Sequence, residues 1–296
     1  MTNTIKIFAG LAGLILIGGL VLWLTRPAPE VPAPVDTIPT PIAPVTPTTT
    51  KSIIGQSVEG RDIEAYTYGT GESTLLFVGG IHGGYEWNSS LLAYEMMDYL
   101  EDNLNSIPSN LTVHIIPNLN PDGLFAATRL EGEFKASHIL SYDMHTTGEG
   151  RFNANGVDLN RNFDCKWAPE SSWRGQTVSA GTAAFSEPEA AALRDYVIKT
   201  SPEAVVFWHS KADNVYASEC EDGVLPETLT VMNAYAEAGN YGAVPSFDAY
   251  PVTGDAEGWL ASINIPAITV ELGSRTSTEW EQNLAGTTAI LDLYGK

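Results

Sequence analysis

The sequence predicts an α/β fold: a single-domain, mixed twisted sheet flanked by helices, preceded by a transmembrane helix and a Pro/Thr-rich stalk. Three observations lead there. Residues 51–296 alternate short apolar runs with longer helical stretches, the pattern of strands joined through helices. Residues 7–24 form one uninterrupted apolar run, and residues 27–50 hold eight prolines among Thr, Ala and Val. With 296 residues and 44% hydrophobic content, the chain can bury one sizeable core.

The apolar run of 18 residues would be about 27 Å long as a helix, close to the hydrocarbon thickness of a bilayer. The alternative is a cleaved signal peptide. The run exceeds the usual hydrophobic region of roughly 7–15 residues, and Trp23-Leu-Thr-Arg-Pro27 offers no small-x-small cleavage site. Residues 1–26 are therefore read as a membrane anchor, with a signal peptide as the alternative. Lys6 and Arg26 flank the run and code its orientation weakly. Residues 27–50 cannot bury a core and favour an extended linker of up to about 75 Å.

Residues 51–296 form the third segment. Its clearest strands are expected at 74–78, 111–116, 204–208 and 267–270, each rich in β-branched or aromatic residues. Helices are expected at 89–103 and 187–199. For the second, Ser186 is the expected N-cap, with Glu189 three residues on and Pro188 in the first turn. No internal repeat is visible.

Charge narrows the function. Fifteen Lys and Arg stand against 36 Asp and Glu, for a net charge of −21, which repels a nucleic-acid backbone. Neither a Gly-Lys-Ser/Thr phosphate loop nor a strand-borne G-x-G-x-x-G occurs. Gly-x-Ser-x-Gly, the elbow of many serine hydrolases, is also missing.

Two of the five histidines stand where expected strands run out: His82 after Leu75-Leu-Phe-Val-Gly-Gly-Ile, and His209 after Val205-Val-Phe-Trp. Ligands in open α/β sheets gather at the carboxyl ends of strands. Glu86 closes the glycine-rich run His82-Gly-Gly-Tyr-Glu86, so two histidines and one carboxylate are available, a catalytic zinc pattern that leaves a position open. Glu271 ends the strand Ala267-Ile-Thr-Val-Glu, where a carboxylate beside metal-activated water can carry a proton. Asn160 and Arg161, within Gly156-Val-Asp-Leu-Asn-Arg-Asn-Phe, set an amide beside a guanidinium and suit a carboxylate. His114 is expected in a strand as a core or face residue, and His138 and His145 in a long connection.

In order along the chain, Ile54-Gly-Gln-Ser-Val-Glu-Gly-Arg, Asn120-Pro-Asp-Gly, Gly156-Val-Asp-Leu-Asn-Arg-Asn-Phe and Phe185-Ser-Glu-Pro-Glu resemble segments of the zinc metallocarboxypeptidases of the carboxypeptidase A type. The resemblance implies one Zn2+ held by His82, Glu86 and His209, with Glu271 as general base and acid. It implies that Arg151 stabilises the oxyanion, Arg129 being the weaker candidate, and that Asn160, Arg161 and Tyr250 hold the substrate's terminal carboxylate end. Glu257, seven residues after Tyr250, aligns with the floor of the pocket for the terminal side chain, where an acid favours a basic or amino-bearing residue. One departure stands out: the family spacing is His-x-x-Glu, whereas three residues separate His82 from Glu86.

The implied function is hydrolysis of the C-terminal peptide bond of peptides. The alternative substrate is a peptidoglycan stem peptide cut between glutamate and diaminopimelate. A catalytically inactive surface binding module is the alternative of another class. Cys165 and Cys220 would close a stretch of 54 intervening residues, worth roughly 4 kcal/mol if oxidised; two buried free thiols are the alternative. The expected partners are a peptide substrate and the membrane, with no nucleic acid, and the chain is expected to be a monomer. The expected location is membrane-anchored with the catalytic domain outside the cytoplasm, or secreted if the N-terminal segment is cleaved.

Overall fold

The structure, a computed structural model, describes residues 49–141, 143, 148–248 and 250–296. The expected anchor, nearly all of the expected linker, and His145 lie outside the described residues. Among the described residues, no helix is long and apolar enough to cross a membrane.

Eight strands form the main sheet: β1 (Thr49–Gln56), β2 (Asp62–Gly69), β3 (Ser73–Val78), β4 (Leu111–Ile116), β7 (Ala204–Ser210), β8 (Asn214–Ala217), β11 (Gly242–Val244) and β12 (Ala267–Leu272). β5 (Glu170–Trp173) pairs with β6 (Gln176–Ser179) as a separate hairpin, and β9 (Glu219–Cys220) pairs with β10 (Gly223–Val224). The main sheet runs in the order β1-β2-β4-β3-β7-β12-β8-β11. Its four central strands, β4, β3, β7 and β12, are mutually parallel, so their carboxyl ends share one edge. The sheet is mixed because β1, β2 and β8 pair antiparallel with their inner neighbours.

Four expected strands are present, extended at most by two residues. Their apolar runs are continuous because both faces are covered. Leu75 and Phe77 of β3 pack on one face with the helices Trp87–Asp102, Pro226–Gly239 and Trp280–Tyr294. Leu76 and Val78 pack on the other face with Pro188–Thr200 and Ala256–Ser262, as the two-residue repeat of a strand requires. β1 begins at Thr49, inside the segment read as linker. β8 and β11, at four and three residues, are too short for periodicity to reveal.

The expected Ser186 cap is not made. Glu187 occupies the N-cap position of Pro188–Thr200 without a side-chain cap bond. The Ser186 hydroxyl instead donates to Glu187 Oε1 and accepts from Asn162 Nδ2. Glu189 turns away to accept from Val58 N and Asn153 Nδ2. Long-range partners therefore replace the local capping box. His114 is buried in β4, with Nδ1 3.0 Å from both Thr67 Oγ1 and Tyr196 Oη, a core residue as expected. His138 ends an exposed 3-10 turn.

Cys165 and Cys220 are joined in a disulfide, with Cα atoms 6.0 Å apart. It fastens the loop after the Asn160-Arg161 motif to β9, beside the helix Ala256–Ser262. Replacing both cysteines with serine is expected to cost about 2–4 kcal/mol. That corresponds to a fall of roughly 5–15 °C in Tm for a domain of this size, measured by differential scanning calorimetry.

Candidate metal centre

The shared strand edge collects the polar side chains. His82 follows β3, Asn118 and Asn120 follow β4, His209 is the penultimate residue of β7, and Glu271 lies in register with His209 across the β7–β12 pair. Ligand atoms of His82, Glu86 and His209 lie within 4.8 Å of one another, all three residues buried.

The long His82–Glu86 spacing is absorbed by a 3-10 turn over Gly83–Glu86. Gly83 has φ +45°, and a Cβ there would sit 2.7 Å from Gly150 O. At Gly84 a Cβ would lie 2.5 Å from Ala127 Cβ and 3.0 Å from Gly123 O. The two glycines let the turn lie against the helix Pro121–Thr128, which takes up the extra residue without displacing Glu86. Asn120 caps that helix by accepting from Gly123 N, and its Nδ2 donates to Arg151 O. Asn120-Pro-Asp-Gly thus fixes the loop that carries Arg151.

Glu86 Oε2 lies 3.1 Å from His209 Nδ1 and accepts from Ser210 N at 3.1 Å. Its Oε1 faces Arg275 Nη1 at 3.5 Å and Arg151 Nη1 at 3.9 Å. Burial alone would raise its pKa, but the hydrogen-bonded His209 and the charges around it, Arg275 among them, outweigh burial and bring it to about 2. Burial, with Arg151 adding to it, holds His82 well below the usual histidine range, so its ring is neutral as a metal ligand must be. His209 is lowered by burial but raised more by the carboxylates of Glu257 and Glu86, so without a metal its ring holds a proton, which metal binding must release.

His82 Nδ1 is buried without a hydrogen-bond partner. His209 Nε2 lies 3.3 Å from Glu257 Oε1 but is too poorly aligned to bond. Two imidazoles with unsatisfied buried nitrogens around an ionised carboxylate form a donor set that fits a divalent zinc ion.

The other expected residues surround the same cavity, of about 620 Å³, which Arg151, Asn160, Arg161, Tyr250, Glu257 and Glu271 all line. Arg151 is buried, donates to Asp158 Oδ2 through Nε and Nη2, and packs over the Trp173 ring. Asn160 Oδ1 accepts from Ala256 N, tying its loop to the helix that carries Glu257. Arg161 Nε is buried without a partner. Tyr250 is half exposed and packs edge-on to Phe247. Glu257 is buried and accepts from Thr269 Oγ1. Glu271 Oε2 is buried without a partner, and burial reinforced by Glu86 raises its pKa to about 7. Arg129 does not line the cavity; it ends the helix Pro121–Thr128 in a left-handed conformation and packs over Phe125.

Sequence reasoning did not single out Asp158, Trp173, Asp255 or Arg275. Asp158 holds Arg151, and its Oδ1 lies 3.6 Å from His82 Nδ1. Its signal was its place in Asp158-Leu-Asn-Arg-Asn-Phe163. Trp173, Asp255 and Arg275 line the cavity but lie in segments with no telling local pattern.

With this fold and donor set in view, comparison with known proteins places the chain. Residues 45–282 match the zinc carboxypeptidase family model (peptidase M14), so the chain belongs to that family, and His82, Glu86 and His209 form its single zinc site. A gamma-D-glutamyl-L-diamino acid endopeptidase 1 from Lysinibacillus sphaericus is 24% identical over 76% of this chain and 60% of its own length. Human carboxypeptidase N catalytic chain is 29% identical over 37% of this chain and 25% of its own. The chain thus spans less than two thirds of these relatives' lengths. Murein-tripeptide amidase MpaA from Escherichia coli O157 superposes with a TM-score of 0.58 at 24% identity, over 83% of this chain and 93% of that one. Carboxypeptidase A from Helicoverpa armigera superposes at 0.62 and 18% identity, over 84% and 70%.

Gly84→Val is expected to push the 3-10 turn off the helix Pro121–Thr128 and move Glu86. Zinc affinity, measured by competition with a chromophoric chelator, should fall by about tenfold or more. Unchanged affinity would mean that the close glycine contact does not position the ligand.

Proposed function

We propose that the protein is a zinc-dependent carboxypeptidase that hydrolyses the peptide bond before a C-terminal residue, with preference for a basic or amino-bearing terminal side chain. The observation that carries this reading is Glu271: a half-buried residue whose Oε2 is buried and unpartnered, in register with the ligand His209 and lining the same cavity.

Zinc, when bound, supplies Lewis acidity that polarises the scissile carbonyl and acidifies water. Glu271, with its pKa raised by burial, accepts a proton from the attacking water and returns it to the leaving amine. Arg151, fixed by Asp158, stabilises the charge that develops on the carbonyl oxygen. Arg161, whose buried Nε lacks an acceptor, pairs with the terminal carboxylate together with Asn160, and Tyr250 covers that end. Glu257 receives a terminal amine on the His209 side of the ligand set, away from Arg151 and Arg275. The intact ligand set speaks against an inactive binding module.

A second substrate reading, peptidoglycan stem peptides cut between glutamate and diaminopimelate, is favoured by the two relatives whose names specify a glutamyl-diamino acid endopeptidase and a murein-tripeptide amidase. We further propose that residues 1–26 anchor the domain and that residues 27–48, up to the start of β1, hold it outside the cytoplasm. The disulfide suits an oxidising compartment of that kind.

Mass spectrometry of peptide digests is the test. The wild-type protein should release single C-terminal residues, with Lys ahead of Leu, or the diamino acid from stem peptides. Glu271→Gln should retain one zinc per chain while kcat/KM falls by about 10²–10⁴-fold. Wild-type turnover by that variant would contradict the assignment of the base.

A further inference from the structure

The charged groups nearest the ligands differ on the two sides. Beyond His209 lies Glu257, and Asp255 lines the cavity with it, with Arg161 beside Asp255. Beyond Glu86 Oε1 lie two guanidinium groups, Arg151 and Arg275. Arg151 is committed to Asp158 through two short hydrogen bonds. Arg275 is held differently: its guanidinium stacks on the Tyr85 ring at 4.1 Å and reaches the outer oxygen of Glu86, while 17% of its side chain remains accessible and it lines the cavity.

The loop that carries Arg275 is rigidly built. Asn88, fully buried just after the ligand Glu86, donates through Nδ2 to Ser274 O and Ser277 O, and its Oδ1 accepts from Ser210 Oγ. Gly273 N and Ser274 N both donate to the Glu279 carboxylate. A cation is thereby preorganised at a fixed place beside the reacting centre, in a chain with only 15 basic residues.

We propose that Arg275 is a specificity-determining residue that pairs with a carboxylate on the acyl side of the scissile bond. The favoured substrate then carries opposite charges on its two sides: an amine on the leaving residue, facing Glu257, and a free carboxylate on the residue whose carbonyl is attacked. A glutamyl residue joined through its γ-carboxyl has that form, since its α-carboxylate stays free, whereas an ordinary α-linked alanyl residue offers only neutral amides. This inference rests on the peptidase reading above and narrows its substrate class.

The test compares three peptides with the zinc-loaded protein: N-acetyl-γ-D-glutamyl-L-lysine, the same peptide with its glutamyl α-carboxylate converted to a carboxamide, and an α-linked N-acetyl-alanyl-L-lysine. The wild-type protein should prefer the carboxylate to the carboxamide by about tenfold or more in kcat/KM. In Arg275→Gln that ratio should fall toward one, and Arg275→Lys should lie between, because an ammonium keeps the charge without the fork. A wild-type ratio near one, or an undiminished ratio in Arg275→Gln, would overturn the proposal. Should Arg275→Gln fail to fold, the wild-type ratio and Arg275→Lys decide. Cleavage of the alanyl peptide alone would overturn the acyl-side assignment and leave the peptidase reading standing, whereas cleavage of none of the three would overturn both.

Discussion

A buried, ionised Glu86 between two buried imidazoles is the arrangement on which the rest of the structure depends. An isolated carboxylate would not stay charged in such a place. It does so here because His209 lies against it, Ser210 N donates to it, and two guanidinium groups face its outer oxygen. Each of those partners is held in turn: Arg151 by Asp158, Ser210 by Asn88, and the Arg275 loop by Asn88 and Glu279. The parallel strands make this possible by delivering β3, β7 and β12 to one edge.

Backbone proximity does as much as side-chain chemistry. Gly83, Gly84, Gly123 and Gly150 form a patch where a Cβ at any one would meet a neighbouring residue at 2.8 Å or less. There the 3-10 turn bearing Glu86, the helix Pro121–Thr128 and the loop bearing Arg151 come together. Opposite it, Asn160 and Gly254 knit the Arg161 loop to the segment that leads to Glu257, with Phe163 N donating to Gly254 O. The two halves of the cavity, one around Tyr85, Arg151 and Arg275 and one around Glu257 and Arg161, are joined through Asp158, which holds Arg151 from the Asn160-Arg161 loop.

Much of this was legible in the sequence. The central strands announced themselves because burial on both faces demands continuous apolar runs, and the two histidines and Glu271 stood at their ends. The His82–Glu86 spacing looked irregular because the turn that accommodates it depends on contacts with Gly123, Ala127 and Gly150, which no local pattern encodes. Ser186 carried every local mark of a cap, yet Asn162 from a distant loop claims its hydroxyl. Arg275 could not be read at all: its importance comes from where the loop after β12 folds back onto Asn88, a contact across 186 residues. Local chemistry was visible; the closure of loops over the sheet edge was not.

X-ray absorption spectroscopy at the zinc edge on the purified protein tests the central claim most directly. The account predicts one zinc per chain, surrounded by two imidazole nitrogens and carboxylate or solvent oxygen at about 2.0–2.2 Å, with the imidazole signal reduced by half in His209→Ala. A sulfur shell, a spectrum indifferent to His209, or no stoichiometric zinc would contradict it.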